Sequence, residues 1–393
     1  MPNIKLIEEA LPIAPLKIAA LESCHELGKN VNEYIVRFRQ DTLKESLTSP
    51  LYSSYQLDNY LIDCKCPRFG TGESKGIIRE SIRGKDLFIM VDVCNYSLSY
   101  TIHGRTNHMS PDDHYQDLKR IISASTGKAH RINVIMPFLY ESRQHKRTNR
   151  ESLDCALALQ ELADMGVSNI ITFDAHDPRV QNSIPLHGFD NFSPSYQFMK
   201  ALLRAEPELE VDKDHLMIVS PDEGAMHRAV YFSNVLGIDM GMFYKRRDYS
   251  KIVGGKNPIV AHEFLGPDLH GKNVIIVDDM ISSGGSMLDV AKQMKERGAS
   301  KVFVFTTFGL FTDGFGEFDQ YYANGYIDRV ITTNLTYLPP EAKEKPYFVI
   351  ADMSKFIALI IDSCNHDITM SHVLDPTDKI HKLLAKHQAN RQP

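Results

Sequence analysis

Two adjacent carboxylates and a loop of serines and glycines form the densest group of potentially reactive side chains. Asp278 and Asp279 directly follow an apolar run at residues 274–277. The loop that comes next contains five small residues: Ser282, Ser283, Gly284, Gly285 and Ser286. Glycine lets a backbone approach an anion closely, and serine hydroxyls add hydrogen-bond donors. Paired carboxylates suit sugar hydroxyls or a metal ion, so the group as a whole suggests a ribose phosphate.

A strand–loop–helix–strand unit positions this loop. The apolar run before the carboxylates predicts a strand, and a second apolar run at 302–305 predicts another. Between them, apolar residues recur on one helical face, ahead of a glycine at 298: Met287, Val290, Ala291 and Met294. The loop therefore lies at the amino end of a helix, where N–H groups and the helix dipole stabilise an anion. Such turns also occur without ligands in α/β proteins.

Five further groups of reactive side chains lie along the chain, most of them directly after predicted strands, where open α/β sheets bind ligands. They are Phe69, Thr71 and Glu73; Arg143 and Gln144; Asp174 and His176; Asp222; and the run Lys245, Arg246 and Arg247. Phe69 and Glu73 suit a base and a ribose, guanidinium groups suit phosphates, and Asp222 offers an oxygen ligand for Mg²⁺. The cationic run opens a glycine- and lysine-rich stretch typical of a lid. Taken singly, the loop residues are also typical of exposed loops without a ligand, and His176 is also typical of a histidine with a structural role.

Bulk composition excludes several classes of protein. A chain of 393 residues predicts two domains, and 43% hydrophobic with 24% charged residues is ordinary for a globular protein. The net charge of −6 indicates no nucleic-acid partner, and no apolar run approaches the roughly 20 residues of a membrane span. The N-terminus lacks a secretory pattern, and the six cysteines lack disulfide spacing. We therefore expect reduced thiols in a cytoplasmic protein.

Alternating strand and helix patterns predict the α/β class, with mostly parallel sheets flanked by helices. Strands are expected at 87–91, 132–136, 170–173, 216–219, 239–244, 330–333 and 348–350. Helices are expected at about 35–47, 113–122, 153–165, 194–203, 223–236 and 353–362. An acidic segment at 205–214 predicts a linker, which gives domains at 1–205 and 206–350 followed by C-terminal helices at 351–393. The basic, amphipathic helix at 375–393 indicates a docking or subunit-contact role.

Two segments match no ligand pattern. The histidines at 103, 108 and 114 have no metal-ligand spacing, so we expect a polar loop that caps a helix beginning near Asp113. Cys64 and Cys66 have no partner pair nearby, so a structural role is favoured over zinc.

The six reactive groups occur in the order found in ribose-phosphate diphosphokinases, also called PRPP synthetases. The group at 278–286 also resembles the PRPP-binding loop of type I phosphoribosyltransferases. The resemblance covers roughly residues 65–365. It implies two similar phosphoribosyltransferase-like domains, and transfer of the diphosphoryl group of ATP to O1 of ribose 5-phosphate, giving PRPP and AMP.

The resemblance also implies a role for each residue of the site. Lys245 and Arg247 would be catalytic, and His176 and Asp222 would hold Mg²⁺. The implied ATP-binding residues are Phe69, Thr71, Glu73, Arg143, Gln144 and His176. Those implied for ribose 5-phosphate are Asp278, Asp279, Ser282, Ser283, Gly284, Gly285 and Ser286. A homo-oligomer, a hexamer built from dimers, is implied as well.

The chain departs from the family pattern at several positions. Thr71 stands where Asp or Asn is usual, Ala225 replaces a glycine, Ser282 replaces an Asp, and the segment after His176 differs. These departures leave open a non-catalytic regulatory paralogue. A phosphoribosyltransferase that uses PRPP is a further alternative, but it would not need the groups near residues 69–73 and 143–144. A plain nucleotide-binding module would leave the lid unexplained.

Overall fold

A computed structural model describes residues 10–45, 54–247 and 259–391. The side chains of residues 44–45, 245–247, 259–262 and 372 lie outside this description. The chain divides into two compact units. The first comprises Met1–Ser193, Asn334–Tyr337 and Asp352–Asp375, and the second comprises Pro194–Thr333, Leu338–Ala351 and Pro376–Pro393. No helix within the described ranges is long and apolar enough to cross a membrane.

The first unit is built on five parallel strands in the order β1-β4-β7-β8-β9. Up to residue 193 its elements are β1 (Leu16–Ala20), α1 (His25–Glu45), β2 (Cys64–Lys65), β3 (Ile77–Ile78), β4 (Asp86–Met90), β5 (Ser99–Ile102), β6 (Arg105–His108), α2 (Pro111–Ser125), β7 (Arg131–Ile135), α3 (Asp154–Asp164), β8 (Asn169–Phe173) and β9 (Gly188–Phe192). Every residue of β4 is buried, as expected for a parallel strand covered on both faces.

The second unit is built on seven strands in the order β12-β11-β10-β13-β14-β15-β16. Its elements are α4 (Ser195–Ala205), β10 (Leu216–Ser220), α5 (Met226–Leu236), β11 (Met240–Arg247), β12 (Ile259–Leu265), β13 (Asn273–Ile281), α6 (Gly285–Glu296), β14 (Val302–Gly309), α7 (Gly316–Ala323), β15 (Arg329–Thr333) and β16 (Phe348–Ala351). All neighbours are parallel except β11 and β12. The predicted α/β class with helix-flanked, mostly parallel sheets is confirmed.

The apolar residues of β13 pack on both faces of this sheet. Val274 and Ile276 pack in a core with α6 and α7, whereas Ile275 and Val277 pack in a core with α4 and α5. A strand buried on both faces needs a continuous apolar run instead of alternation. The strand continues to Ile281, so the two acids lie within β13, not after it as the sequence suggested.

The C-terminal helices are shared between the two units. The last three are α8 (Ser354–Asn365), α9 (Ser371–Leu374) and α10 (Thr377–Arg391). Helices α8 and α9 belong to the first unit, whereas α10 belongs to the second, where Ile380 is fully buried. The amphipathic tail helix therefore docks its apolar face onto its own chain.

The first unit also holds α8 through buried polar groups. The Arg39 guanidinium donates to Asp362 Oδ1 at 3.1 Å and to Asn365 Oδ1 at 2.8 Å. The Asn365 amide donates to Asp86 Oδ2 at 2.8 Å, and Arg131 Nε donates to Asp86 Oδ1 at 2.9 Å. A buried charge that loses its partner is strongly destabilising, so these contacts fix the position of α8.

The boundary between the units differs from the one expected at residue 205. Helix α4 packs in the core of the second unit through Phe198, Met199 and Leu202, so the division falls between Ser193 and Pro194. The acidic segment at 205–214 is part of the second unit, where the Glu206 carboxylate pairs with Lys301 and Arg329. All six cysteines lie in the described ranges, and each is a free thiol.

Candidate functional site

The loop between β13 and α6 forms an anion cradle from backbone. Gly284 has φ +100° and stands immediately before α6, and no side chain caps that helix. A Cβ at Gly284 would lie 2.5 Å from the Phe318 ring, so only glycine fits here. A backbone hydrogen bond also fixes the loop, because the Thr312 amide donates to the Ser282 carbonyl at 3.0 Å. The N–H groups at the start of α6 can therefore bind a phosphate.

Three carboxylates lie near one another beside this cradle, close enough for their charges to interact. Asp278 is half-buried and Asp279 is buried, on β13, and Asp222 follows the neighbouring strand β10. Burial, and then the charges of Asp279 and Asp222, hold the pKa of Asp278 well above its usual range. Arg228 Nη2 lies 3.7 Å from Asp279 Oδ2 and offsets part of this charge. Such a cluster favours hydroxyl donors or a cation.

Asp222 is oriented by its own loop. Its Oδ1 accepts hydrogen bonds from the amides of Gly224 at 3.0 Å and Ala225 at 3.3 Å, and its carbonyl accepts one from the Ser220 hydroxyl at 2.7 Å. A half-buried carboxylate held in this way can serve as an oxygen ligand of a hard cation.

The two predicted catalytic cations lie at the end of β11. Lys245 is paired with His262 and Arg247 with Ile259 of the antiparallel edge strand β12, with an irregularity between Arg246 and Arg247. Strand β11 neighbours β10, which leads to Asp222. The side chains of both cations and the predicted lid at 248–258 lie outside the described residues, so their roles stay predictions.

The predicted nucleotide loop is a tight turn in the first unit. Arg68 and Ser74 pair as an antiparallel bridge, and the Phe69 amide donates to the Glu73 carbonyl at 2.7 Å. Phe69 is 50% exposed, so its ring is available for stacking. The Thr71 hydroxyl donates to Glu73 Oε2 at 2.8 Å. The residue that departs from the family pattern thus orients the carboxylate.

A hairpin that the sequence analysis missed braces this loop. Strands β5 and β6 form it where a polar loop was expected, and Ile102 approaches so closely that a Cβ at Gly72 would lie 2.5 Å from its Cδ1. The Arg68 guanidinium lies over the Tyr100 ring at 5.0 Å and donates to both Asp117 carboxylate oxygens. The one signal for the hairpin was a short His-Gly turn, which follows a β-prone segment at 99–102 but precedes a polar segment at 105–108.

The loops after β7 and β8 bring two further predicted groups together. The rings of His145 and His176 are 5.3 Å apart, and His145 directly follows Arg143 and Gln144. The Gln144 amide group donates to the Ser152 carbonyl at 2.8 Å, so this side chain stabilises its own loop. Asp174, just before His176, has φ +43°, a strained conformation for a non-glycine residue.

Within each unit, then, the predicted residues converge at strand ends. In the second unit, Asp222, Asp278, Asp279 and the glycine loop are brought together. In the first unit, the segment at 143–145 and His176 are brought together, whereas the loop at 68–74 is organised separately by the hairpin. Glu141, next to this segment, was not predicted; it has φ +56°, and burial raises its pKa.

The second unit combines a mostly parallel sheet with an acid pair, a left-handed glycine and a helix N-terminus, the features expected of a phosphoribosyltransferase-like domain. A family model described as the phosphoribosyl transferase domain matches residues 203–314, and one described as the N-terminal domain of ribose phosphate pyrophosphokinase matches residues 16–166. The chain belongs to the ribose-phosphate pyrophosphokinase family.

Similar proteins cover most of the chain. The ribose-phosphate pyrophosphokinase of Pasteurella multocida is 28% identical over 313 residues, which cover 79% of this chain and 90% of that protein. The one from Shewanella oneidensis is 29% identical over 313 residues, with the same coverage. The crystal structure of the phosphoribosylpyrophosphate synthetase from Mycobacterium smegmatis superimposes with a TM-score of 0.69 at 22% identity, covering 90% of this chain and 99% of that one. This likeness shows the fold.

Proposed function

We propose that this chain is a ribose-phosphate diphosphokinase, which moves the β,γ-diphosphoryl group of ATP to O1 of ribose 5-phosphate and releases AMP. The observation that carries the proposal is the second unit's cradle, in which Gly284 and the uncapped start of α6 adjoin Asp278 and Asp279. Phosphate recognition by backbone and diol recognition by carboxylates are the two requirements of a ribose phosphate. Curated relatives that carry this activity in their name span 79% of the chain.

The acceptor sugar is assigned to the second unit. Asp278 and Asp279 accept hydrogen bonds from the 2- and 3-hydroxyls, and residues 282–286 bind the 5-phosphate. Burial, and then repulsion from Asp279 and Asp222, raise the pKa of Asp278; hydroxyl donors stabilise its charged form, which supports this assignment. Ser282 brings no negative charge of its own, so its hydroxyl is free of repulsion with a phosphate.

ATP is assigned to residues of the first unit. The exposed Phe69 ring stacks on the base, and Glu73, oriented by Thr71, accepts from the ribose. Arg143, Gln144 and His176 contact the phosphates. Transfer of a diphosphoryl group needs charge neutralisation and alignment more than covalent help. Lys245 and Arg247 supply positive charge to the transferring group.

The donor set also fits magnesium. Asp222 offers an oriented carboxylate beside a cluster of acids, and hard Mg²⁺ prefers oxygen ligands. Asp222 is the residue of the second unit that would hold it, and the role of His176 in the first unit stays a prediction from the family resemblance. When bound, the ion polarises phosphate oxygens and neutralises their charge.

The departures from the family pattern are compatible with catalysis. Ala225 has φ −85°, so this position does not require glycine. Thr71 is bonded to Glu73, and the Ser282 carbonyl still anchors its loop. These contacts favour an enzyme over a non-catalytic paralogue.

Formation of AMP separates the candidates. The chain is incubated with ATP, Mg²⁺ and ribose 5-phosphate, and we expect AMP and PRPP in equal amounts. Lys245→Ala should lower the rate at least about 100-fold with the fold intact. Absence of AMP across a range of phosphate and metal concentrations would leave the regulatory paralogue as the better account.

The homo-oligomer remains a proposal that rests on the family. Light scattering on the full chain at several concentrations measures the mass directly. We expect a multiple of the 44.6 kDa chain mass.

A further inference from the structure

A basic groove lies between α4 and α10 in the second unit. The open groove has a volume of about 580 Å³. Five cationic side chains line it: Lys200, Arg204, Lys379, Lys382 and Lys386. Among the described residues that line it, none is an aspartate or glutamate. The groove therefore gathers positive charge in a protein whose net charge is −6.

The cations occupy single faces of their helices. Lys200 and Arg204 are four residues apart on α4, and Lys379, Lys382 and Lys386 follow at intervals of three and four on α10. Like charges at these spacings repel one another and destabilise a helix. A bound polyanion removes this repulsion.

The wall formed by α10 is fixed in place. Ile380 is fully buried in the core, and Leu383 and Leu384 pack against it. His381 Nε2 contacts the Val235 carbonyl at 2.9 Å, and His387 Nε2 contacts the Leu209 carbonyl at 2.8 Å. A groove built from two anchored helices can hold a ligand without first ordering itself.

One cation of the groove is partly withdrawn from water. Lys379 is half-buried, and burial lowers its pKa. Opposite charge in the cavity stabilises a desolvated ammonium group more than an exposed one, because the local dielectric is lower. Tyr196 and the aliphatic side chain of Leu203 also line the cavity and offer an apolar surface beside the cations.

We propose that this groove binds a small phosphate-rich anion, such as a nucleoside polyphosphate or inorganic polyphosphate. Its volume lies in the range of roughly 300–1,000 Å³ typical of small-molecule sites. The rest of the chain carries an excess of negative charge, which opposes the binding of an extended nucleic acid. The helices α4 and α10 pack in a different core from α6, so the groove is separate from the ribose-phosphate cradle.

Calorimetric titration of the full chain with inorganic tripolyphosphate tests the proposal. The groove variant is Lys382→Gln with Lys386→Gln, and the charge-matched control is Lys343→Gln with Lys355→Gln, at two exposed positions outside the groove. We expect the groove variant to weaken tripolyphosphate binding at least about tenfold and to reduce its salt dependence. The control should bind as the wild type does. Circular dichroism checks that both variants fold.

Two further arms define the ligand. If the Tyr196 ring stacks on a base, Tyr196→Leu should weaken the binding of ADP but not that of tripolyphosphate. If inorganic polyphosphate is the ligand, Tyr196→Leu should leave the affinity for both compounds unchanged. Equal binding by groove variant and wild type, or no binding by the wild type, would overturn the proposal. So would a single-stranded oligonucleotide that binds the groove and is not displaced by tripolyphosphate.

Discussion

The two units place candidate residues at the same kind of sheet edge but build their sites differently. In the second unit, β13 leads through Gly284 at φ +100° directly into the 12-residue helix α6. In the first unit, β8 leads through Asp174 at φ +43° into a short 3₁₀ helix, Pro178–Ser183. The second site therefore offers backbone N–H groups, whereas the first offers side chains. We expect the second to be sensitive to an added Cβ, and the first to changes in the contacts that orient its loops.

The units also hold their C-terminal helices by different means. Helix α8 is tied to the first unit by the buried Arg39, Asp86 and Asp362. Helix α10 is tied to the second unit by the apolar face that contains Ile380. Buried charges are costly to break singly, and apolar contacts are lost in proportion to area.

Removal of the buried Asp86 carboxylate should have the largest effect. Asp86→Ala leaves Arg131 and Asn365 without their shared acceptor, and we expect a loss of about 3–5 kcal/mol in unfolding free energy. Urea denaturation measures it. The matched control is Asp63→Ala, which breaks an exposed ion pair with Arg79 and should cost less than about 1 kcal/mol. Equal effects would show that burial does not set the strength of the first unit's network.

A methyl group at Gly284 should disable the cradle. Gly284→Ala places a Cβ against Phe318 and forces alanine to φ +100°, so we expect the turnover to fall at least about 100-fold. The control is Gly316→Ala, where the added methyl meets open space. Initial rates of AMP formation give the comparison. An active Gly284→Ala enzyme would rule out a backbone-built phosphate site.

A methyl group at Gly72 should weaken the binding of ATP alone. Gly72→Ala strains the turn at φ +91° and displaces Ile102 of the bracing hairpin, so we expect the KM for ATP to rise about tenfold. The KM for ribose 5-phosphate should not change. Gly70→Ala, in the same loop with open space around it, is the control. A rise in both KM values would contradict the separation of substrates between the units.

Acid should destabilise the protein through His366. This side chain of the first unit is buried, and burial lowers its pKa below the usual value. The unfolded chain therefore takes up a proton that the folded chain does not, and stability falls as the pH drops through about 6.5. One such group contributes at most about 1.4 kcal/mol per pH unit. His366→Gln should flatten the dependence of unfolding free energy between pH 7.5 and 5.5, and an unchanged slope would assign it to other groups.

The sequence was most informative where one short segment contains the whole feature. The apolar run, acids, glycines and helix at 273–298 predicted the elements of the cradle, because these elements are consecutive in the chain, whereas its contacts with Thr312 and Phe318 were not predicted. The buried strand β4 was predicted for the same reason, from five consecutive residues.

Contacts between distant segments, and elements with a weak hydrophobic pattern, could not be predicted from one short stretch of sequence. Arg39 and Asp362 are 323 residues apart, and nothing in either segment indicates the pairing. The hairpin of β5 and β6 is exposed and polar, so its alternation is weak. The acidic segment after α4 has the composition of a linker, yet Glu206 belongs to the second unit through Arg329.

Binding of ribose 5-phosphate alone tests the central claim most directly. Calorimetry on the wild type should show one site per chain, since the cradle occurs once among the described residues. We predict that Gly284→Ala abolishes this binding, whereas Gly72→Ala and Gly316→Ala leave it unchanged. Undiminished binding by Gly284→Ala, or equal loss in Gly72→Ala, would contradict the assignment of the acceptor sugar to the second unit's backbone.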